Sequence, residues 1–180
     1  MQNQQSKLEI EESLLERAKN NDRAALETIF QQFIGVEETI QFTEYLGRLG
    51  LILFINHSFI CLTDKRVMAL TTGTFGEVLY QDAFLEDLNS FAIYQPSLFG
   101  LYVLGFFLIV FTFGIGLLFL PLLVKFYYRI NKCGCLFNIK HGLSVYAFIN
   151  RNRMSRANVM WRICAQLRQD RLATMPYTTG

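Results

Sequence analysis

Leu98–Val124 reads LFGLYVLGFFLIVFTFGIGLLFLPLLV, a run of 27 residues without one charged side chain. Its interpretation decides how everything around it is arranged. About 20 consecutive apolar residues suffice to cross a bilayer, so the run is expected to enter lipid. Its flanks carry opposite charge. Residues 1–97 hold 7 Lys+Arg against 14 Asp+Glu, whereas residues 125–180 hold 10 Lys+Arg and a single acid, Asp170. The formal net charge of +2 therefore conceals an acidic half, a lipid-like insert and a basic half. This pattern points to a membrane protein.

The segments before the insert change period. Leu8, Ile10, Leu14, Leu15 and Ala18 fall near one helical face, and Asn20-Asn21-Asp22 breaks the pattern. Asp22 has the chemistry of an N-cap, which predicts a second helix over 23–33 and a helical hairpin over 1–36. From Glu38 the period falls to two. Strands are predicted around Ile40–Tyr45, Leu51–Ile55, Phe59–Leu62, Arg66–Thr71, Gly76–Tyr80 and Leu88–Gln95, with Asn56-His57-Ser58 and Asp64-Lys65 as turns. Beyond the insert, Cys133–Lys140 and Leu143–Ile149 flank His141-Gly142, a hairpin signal. A final helix is expected over 153–172. Its apolar stripe is Met154, Ala157, Met160, Trp161, Cys164 and Leu167, with Trp161 expected to be buried. The tail 173–180 looks frayed.

The order is α+β: a helical hairpin, antiparallel strands, the insert, two more strands and a C-terminal helix. The stretch Cys61-Leu-Thr-Asp-Lys-Arg-Val-Met68 resembles the strand–turn–strand of bacterial pleckstrin-homology-like (PH-like) domains. Gln81–Ser90 and Tyr146–Arg151 are similar to that family's later strands. The resemblance runs from about Ile40 to Arg171 and implies a PH-like antiparallel barrel or sandwich closed by the last helix. Its two parts would be 37–97 and 129–172, interrupted by a membrane hairpin at 98–128. The insert inside the domain departs from the family pattern. So does the region of the first two strands, which offers Arg48 but also Glu37, Glu38 and Glu44, so lipid-headgroup binding is not implied by the resemblance.

If strands on both sides of the insert share one body, both insert ends lie on one membrane face; a single crossing would leave strand edges unpaired. Two full spans need about 40 apolar residues. Thr112, Gly114, Gly116 and Pro121 instead predict a short helical hairpin, re-entrant or of two shortened spans. The residues expected in lipid are Leu98, Tyr102, Phe106, Phe107, Leu108, Ile109, Phe111, Phe113, Leu117, Phe119 and Leu122. Tyr102, Tyr127 and Tyr128 would anchor the interface. One tilted helix, with the basic half cytoplasmic, is the competing topology. A buried helical pair in a soluble protein is the third.

Lys125, Arg129, Lys132, Arg151 and Arg153 are the candidate headgroup-binding residues, because anionic lipid attracts each basic residue near its surface by about 1 kcal/mol. Arg-rich helices also meet nucleic acid, but the insert favours lipid. The bland alternative is that the basic half pairs with the acidic half. Cys133-Gly-Cys135 puts two thiols on one strand face, where they could meet His141 or Cys61 on a soft metal, or simply face inward. His57 and His141 lack catalytic neighbours, and Glu86 and Asp87 would point to opposite faces. No phosphate loop is present. No catalytic residue, metal or cofactor is therefore assigned. The polar N-terminus argues against a cleaved signal, which makes the four cysteines reduced thiols. The expectation is a non-enzymatic membrane-anchored scaffold or accessory subunit, both termini cytoplasmic, with membrane lipids and other membrane proteins as partners. An anionic-headgroup sensor or carrier is the alternative, and a redox or metal protein using Cys133 and Cys135 a weaker one.

Overall fold

The structure, a computed structural model, describes residues 11–50, 55–130, 133–140 and 142–174. Two short helices, α1 (Glu12–Lys19) and α2 (Arg23–Gln31), open the chain. The Asp22 carboxylate accepts from the Ala24 and Ala25 amides and so starts α2 as an N-cap should. Leu8 and Ile10 lie outside the described residues. Four antiparallel strands follow: β1 (Ile40–Leu49), β2 (Asn56–Thr63), β3 (Arg66–Gly73) and β4 (Val78–Phe84), in sheet order β1-β2-β3-β4. A 3-10 turn at Leu85–Asp87 leads to β5 (Leu88–Tyr94). After a pair of apolar helices, β5 pairs with β6 (Cys133–Ile139), and β6 with β7 (Val145–Ile149). The last helix is α5 (Met154–Thr174).

The central strands of the first sheet, β2 and β3, are buried on both faces, which explains their nearly continuous apolar runs. Phe59, Cys61, Met68 and Leu70 pack under Leu26, Ile29 and Phe30 of α2. Their strand neighbours Ile60, Leu62, Val67 and Ala69 point the other way, toward Phe137, Val145 and Ile149 of the second sheet and Ala157, Met160 and Cys164 of α5. Alternation along a strand thus feeds two cores at once. Phe59 stands opposite Leu70, and Tyr45 opposite Phe59.

Two expectations need correction here. Asn56, His57 and Ser58 form the start of β2 and not a turn: they pair with Leu49, Arg48 and Gly47. The Leu51–Ile55 strand falls almost wholly outside the described residues. Among the described residues the two sheets do not close into a barrel. The 3-10 turn breaks the ladder between β4 and β5, and β1 meets β7 at a seam: the Asn150 amide donates to the Leu46 carbonyl at 2.9 Å. Gly47 makes that seam possible. It sits at a bulge in β1 with φ of +121°, and a Cβ there would lie 2.5 Å from the Asn150 Cβ.

The apolar run is two helices, α3 (Phe99–Phe111) and α4 (Gly116–Ile130), of 13 and 15 residues. At 1.5 Å per residue these are about 20 and 22 Å long, short of the roughly 30 Å hydrocarbon core. The charge-free part of α4 ends at Val124. Among the described residues no helix is long and apolar enough to cross a membrane. The turn at Thr112–Ile115 is the cause, because it divides one sufficient run into two insufficient ones. This overturns the transmembrane reading, in its single-helix and its shortened-span forms. With it goes the localisation built on crossing, which set both termini on the cytoplasmic side.

Candidate functional site

The α3–α4 hairpin is built by its own backbone chemistry. The Thr112 hydroxyl donates to the Leu108 carbonyl at 2.6 Å and accepts from the Gly116 amide at 2.6 Å, joining the end of α3 to the start of α4. Phe113 and Gly114 take positive φ, 50° and 89°, to reverse the chain. Gly105 is buried, with Leu120 and Leu123 of α4 beside it. At the open end the Tyr127 hydroxyl donates to the Ser97 carbonyl, holding the two feet together.

The hairpin shows apolar side chains over a broad outer face. Tyr102, Val103, Leu104, Phe106 and Phe107 are all exposed. Successive helical positions turn by about 100°, so these five cover an outer face about 200° wide, while Gly105, Leu101, Leu108 and Ile109 on the remaining side are buried or half-buried. On α4, Leu117, Leu118, Phe119 and Leu122 are exposed, and Phe113 at the tip is 97% exposed. Of the other residues expected in lipid, Leu98 and Phe111 are exposed too, while Leu108 and Ile109 are half-buried. Sequence reasoning passed over Leu118 and Phe99, both more than 70% exposed. Their apolar character within the run was the available signal.

At the foot of the hairpin lies a cleft of about 410 Å³. One wall is the end of β1, Arg48 and Leu49. The second is the link from β7 to α5, Asn150, Arg151 and Asn152. The third is α4, through Pro121, Val124 and Lys125. The seam at Gly47 holds the first two walls together. The Asn150 side chain accepts from the Asn152 amide at 3.1 Å and donates to the Arg48 carbonyl at 3.4 Å. Three exposed cations, Arg48, Lys125 and Arg151, therefore line one space, and among the described residues no carboxylate lines it.

The expected headgroup residues divide. Lys125 and Arg151 line the cleft. Arg153 is committed elsewhere: its Nη1 donates to the Tyr45 carbonyl at 2.8 Å, and its guanidinium stands 5.1 Å from the centre of the Tyr45 ring. The Arg129 side chain and all of Lys132 lie outside the described part. Part of the basic half does pair with the acidic half, since Arg156 meets Glu44 and Arg171 meets Glu86, each at 3.2 Å. Arg48 and Asn150 are 102 positions apart, so nothing local in the sequence announces their meeting.

The other candidates are structural. Cys133, Cys135, Cys61 and Cys164 are all buried. Burial pushes the Cys135 thiol to about 12 and the Cys164 thiol to about 11, which leaves them protonated and unreactive near neutral pH. His141 lies outside the described residues. Among those described, no group of three or more His, Cys, Asp or Glu gathers where a metal could sit. His57 Nδ1 shares a 2.8 Å hydrogen bond with the Tyr45 hydroxyl, and burial lowers its pKa, with the Lys19 cation adding to the effect. The Thr63-Asp64-Lys65-Arg66 stretch organises the β2–β3 turn. Thr63 Oγ1 accepts from the Arg66 amide at 2.9 Å, and Asp64 accepts from the Thr39 amide at 2.9 Å. The Arg66 guanidinium holds Glu38 with three bonds of 2.8, 2.9 and 3.2 Å and Asp82 with one of 2.9 Å. Burial works to raise the Glu38 carboxyl, but hydrogen bonds from Arg66 and Thr63 outweigh it and hold it below the usual range.

No family model matches the chain, and no curated protein or solved structure matches it either.

Proposed function

We propose that this protein is a non-enzymatic scaffold or accessory subunit that docks on a lipid surface through the α3–α4 hairpin, without crossing it. One observation carries the reading: the hairpin exposes apolar side chains over a broad outer face of each helix and at its tip, with no charge from Leu98 to Val124. A helix docked on a protein needs one apolar face, whereas lipid solvates every face. Helices of about 20 Å are deeper than one leaflet's share of a roughly 30 Å core and shorter than the whole. The closed backbone of the hairpin suits that depth, since the amides from Thr112 to Leu118 are bonded internally. The two-sheet body then stands at the surface as the part that meets protein partners. We assign that body to the PH-like class; the support is the strand order, the final helix and the Thr63–Arg66 turn.

The test is flotation of the full chain with neutral phosphatidylcholine vesicles. The protein should float with them and stay bound at about 1 M salt, where the Debye length is only about 3 Å. Replacing Phe111, Phe113, Leu117 and Leu118 together with Ser should release it at unchanged far-UV circular dichroism. A wild-type chain that stays monomeric in the aqueous fraction would sink the proposal.

A further inference from the structure

We infer that the outer face of the second sheet lies on the same lipid surface that the hairpin enters, with its aromatic side chains at the headgroup level. This rests on the hairpin docking proposed above and adds how the body is turned. Alternation gives each strand of the sheet two sets of residues. Cys135, Phe137, Val145, Ala147 and Ile149 point inward to the core. The other set is Ala92 and Tyr94 of β5, Gly134 and Leu136 of β6, and Tyr146 and Phe148 of β7. Among the described residues neither core takes the side chains of this set. An antiparallel sheet with one face in water ordinarily reads polar on that face. Here the face is aromatic and aliphatic, and β5, β6 and β7 contain no charged residue at all. The first sheet, by contrast, carries Glu44, Arg48, Arg66 and Asp82.

A gradient along the strands says what covers this face. The hairpin leaves the sheet after Tyr94 and returns before Cys133. The row nearest to it is Tyr94, Gly134 and Phe148, paired across the three strands. Ala92, Leu136 and Tyr146 form the next row. The farthest row is polar: Asn138 Nδ2 donates to Ser90 Oγ at 2.8 Å, and Ser144 Oγ donates to Asn138 Oδ1 at 3.0 Å. Rows two residues apart are separated by about 7 Å, so the face turns from aromatic to polar over about 14 Å as it recedes from the hairpin. A bilayer interface has that order. Tyrosines collect there because the ring meets acyl chain while the hydroxyl meets water. A protein partner would not require the gradient to follow the hairpin. Packing sets the rings in place. Tyr146 rests on Gly134, where a Cβ would come within 3.0 Å of its Cε1, and its ring centre stands 4.4 Å from that of Phe148. Tyr94, on the outer strand, is 54% exposed.

The test places single tryptophans in a Trp161→Phe chain. It reads their quenching by phosphatidylcholine vesicles whose acyl chains are brominated either next to the headgroup or near the terminal methyl. Tyr94→Trp and Tyr146→Trp should be quenched by the shallow bromines and little by the deep ones, with emission shifted to the blue on binding. Phe113→Trp, at the hairpin tip, should be quenched by the deep ones. Val36→Trp should not be quenched, because Val36 is fully exposed and precedes β1, whose other end meets the hairpin at Leu49. Replacing Tyr94 and Leu136 together with Ser should weaken flotation on phosphatidylcholine at least about tenfold, since a loss of about 60 Å² of apolar contact suffices for that. Thermal melts check that the sheet survives each change. Quenching of Phe113→Trp but of neither sheet position would overturn the inference and leave hairpin docking intact. A blue shift at both sheet positions without vesicles, in a chain that sediments as a dimer, would give the face to a second copy and overturn it too. No quenching at any position would instead refute hairpin docking itself.

Discussion

Arg66 joins Glu38 before β1, Asp82 on β4 and the Phe33 carbonyl after α2. Its loss would strand a buried carboxylate, and Glu38 has little of its surface in water. Arg66→Ala should destabilise the fold by about 2–3 kcal/mol, below the full cost of breaking a buried pair because Arg66 itself is partly exposed. Urea denaturation would show this as a lower midpoint at unchanged slope. The motif that most resembles a known family thus acts here as a structural clasp, and its residues were legible because turn chemistry is local. Glu44 behaves differently. It is buried, one oxygen meets Arg156, and the other has no hydrogen-bond partner. Burial raises its pKa against the pull of the Arg156 and Arg153 cations. The folded chain therefore holds this proton more tightly than the unfolded chain, and stability falls as pH rises from about 4.5 through the raised value. Glu44→Gln should flatten that decline and leave the protein more stable at neutral pH than wild type. Parallel denaturation curves at acidic and neutral pH would check it, and an unchanged pH slope would count against the Glu44 explanation.

Among the elements, α5 shows how far periodicity reaches. Ala157, Met160 and Cys164 are buried as the stripe predicts. Trp161, expected among them, is 41% exposed, because position 161 lies at the edge of the stripe. Its ring stacks on Phe91 at 4.7 Å between centres and shields the second sheet from outside. The cost of Trp161→Ala should accordingly be about 1–2 kcal/mol, of the order of a stacked aromatic pair with part of its buried area. Met160→Ala should cost more, about 2–4 kcal/mol, as a fully buried truncation. Thermal melts would rank the two, and the reverse order would contradict this packing. The hairpin was legible in its breakers, since Thr112, Gly114 and Gly116 form the turn they predict. That the split shortens both helices below a bilayer's width depends on where the helices begin, which hydropathy alone does not state. Phe113 adds a point of its own. A bulky aromatic residue with φ of 50° is costly, and it stands fully exposed at the tip.

For the whole molecule, element order followed from the sequence, because each switch between periods of 3.6 and 2 is written locally. The second core under α2, the seam between β1 and β7 and the cleft did not, because the first depends on strand register and the other two on contacts across about a hundred positions. Register also gives the apolar hairpin a part in how the chain finds its fold. Tyr94 of β5 pairs with Gly134 of β6, so segment 95–133 must close before the second sheet can zip. An unstructured segment of that length closes against a chain-entropy penalty that grows with the logarithm of its length. A hairpin whose feet are tied by Tyr127 and Ser97 shortens the effective loop to a few residues, a saving of roughly 1.5 kcal/mol. Lipid that promotes the hairpin would then act as a folding template for the second sheet. Refolding from urea, followed by Trp161 fluorescence, should run about tenfold faster with phosphatidylcholine vesicles present. A chain with residues 98–124 replaced by a short Gly-Ser linker should refold at one rate with or without them. Insertion would come first on this route, and strand pairing would be timed by arrival at a surface.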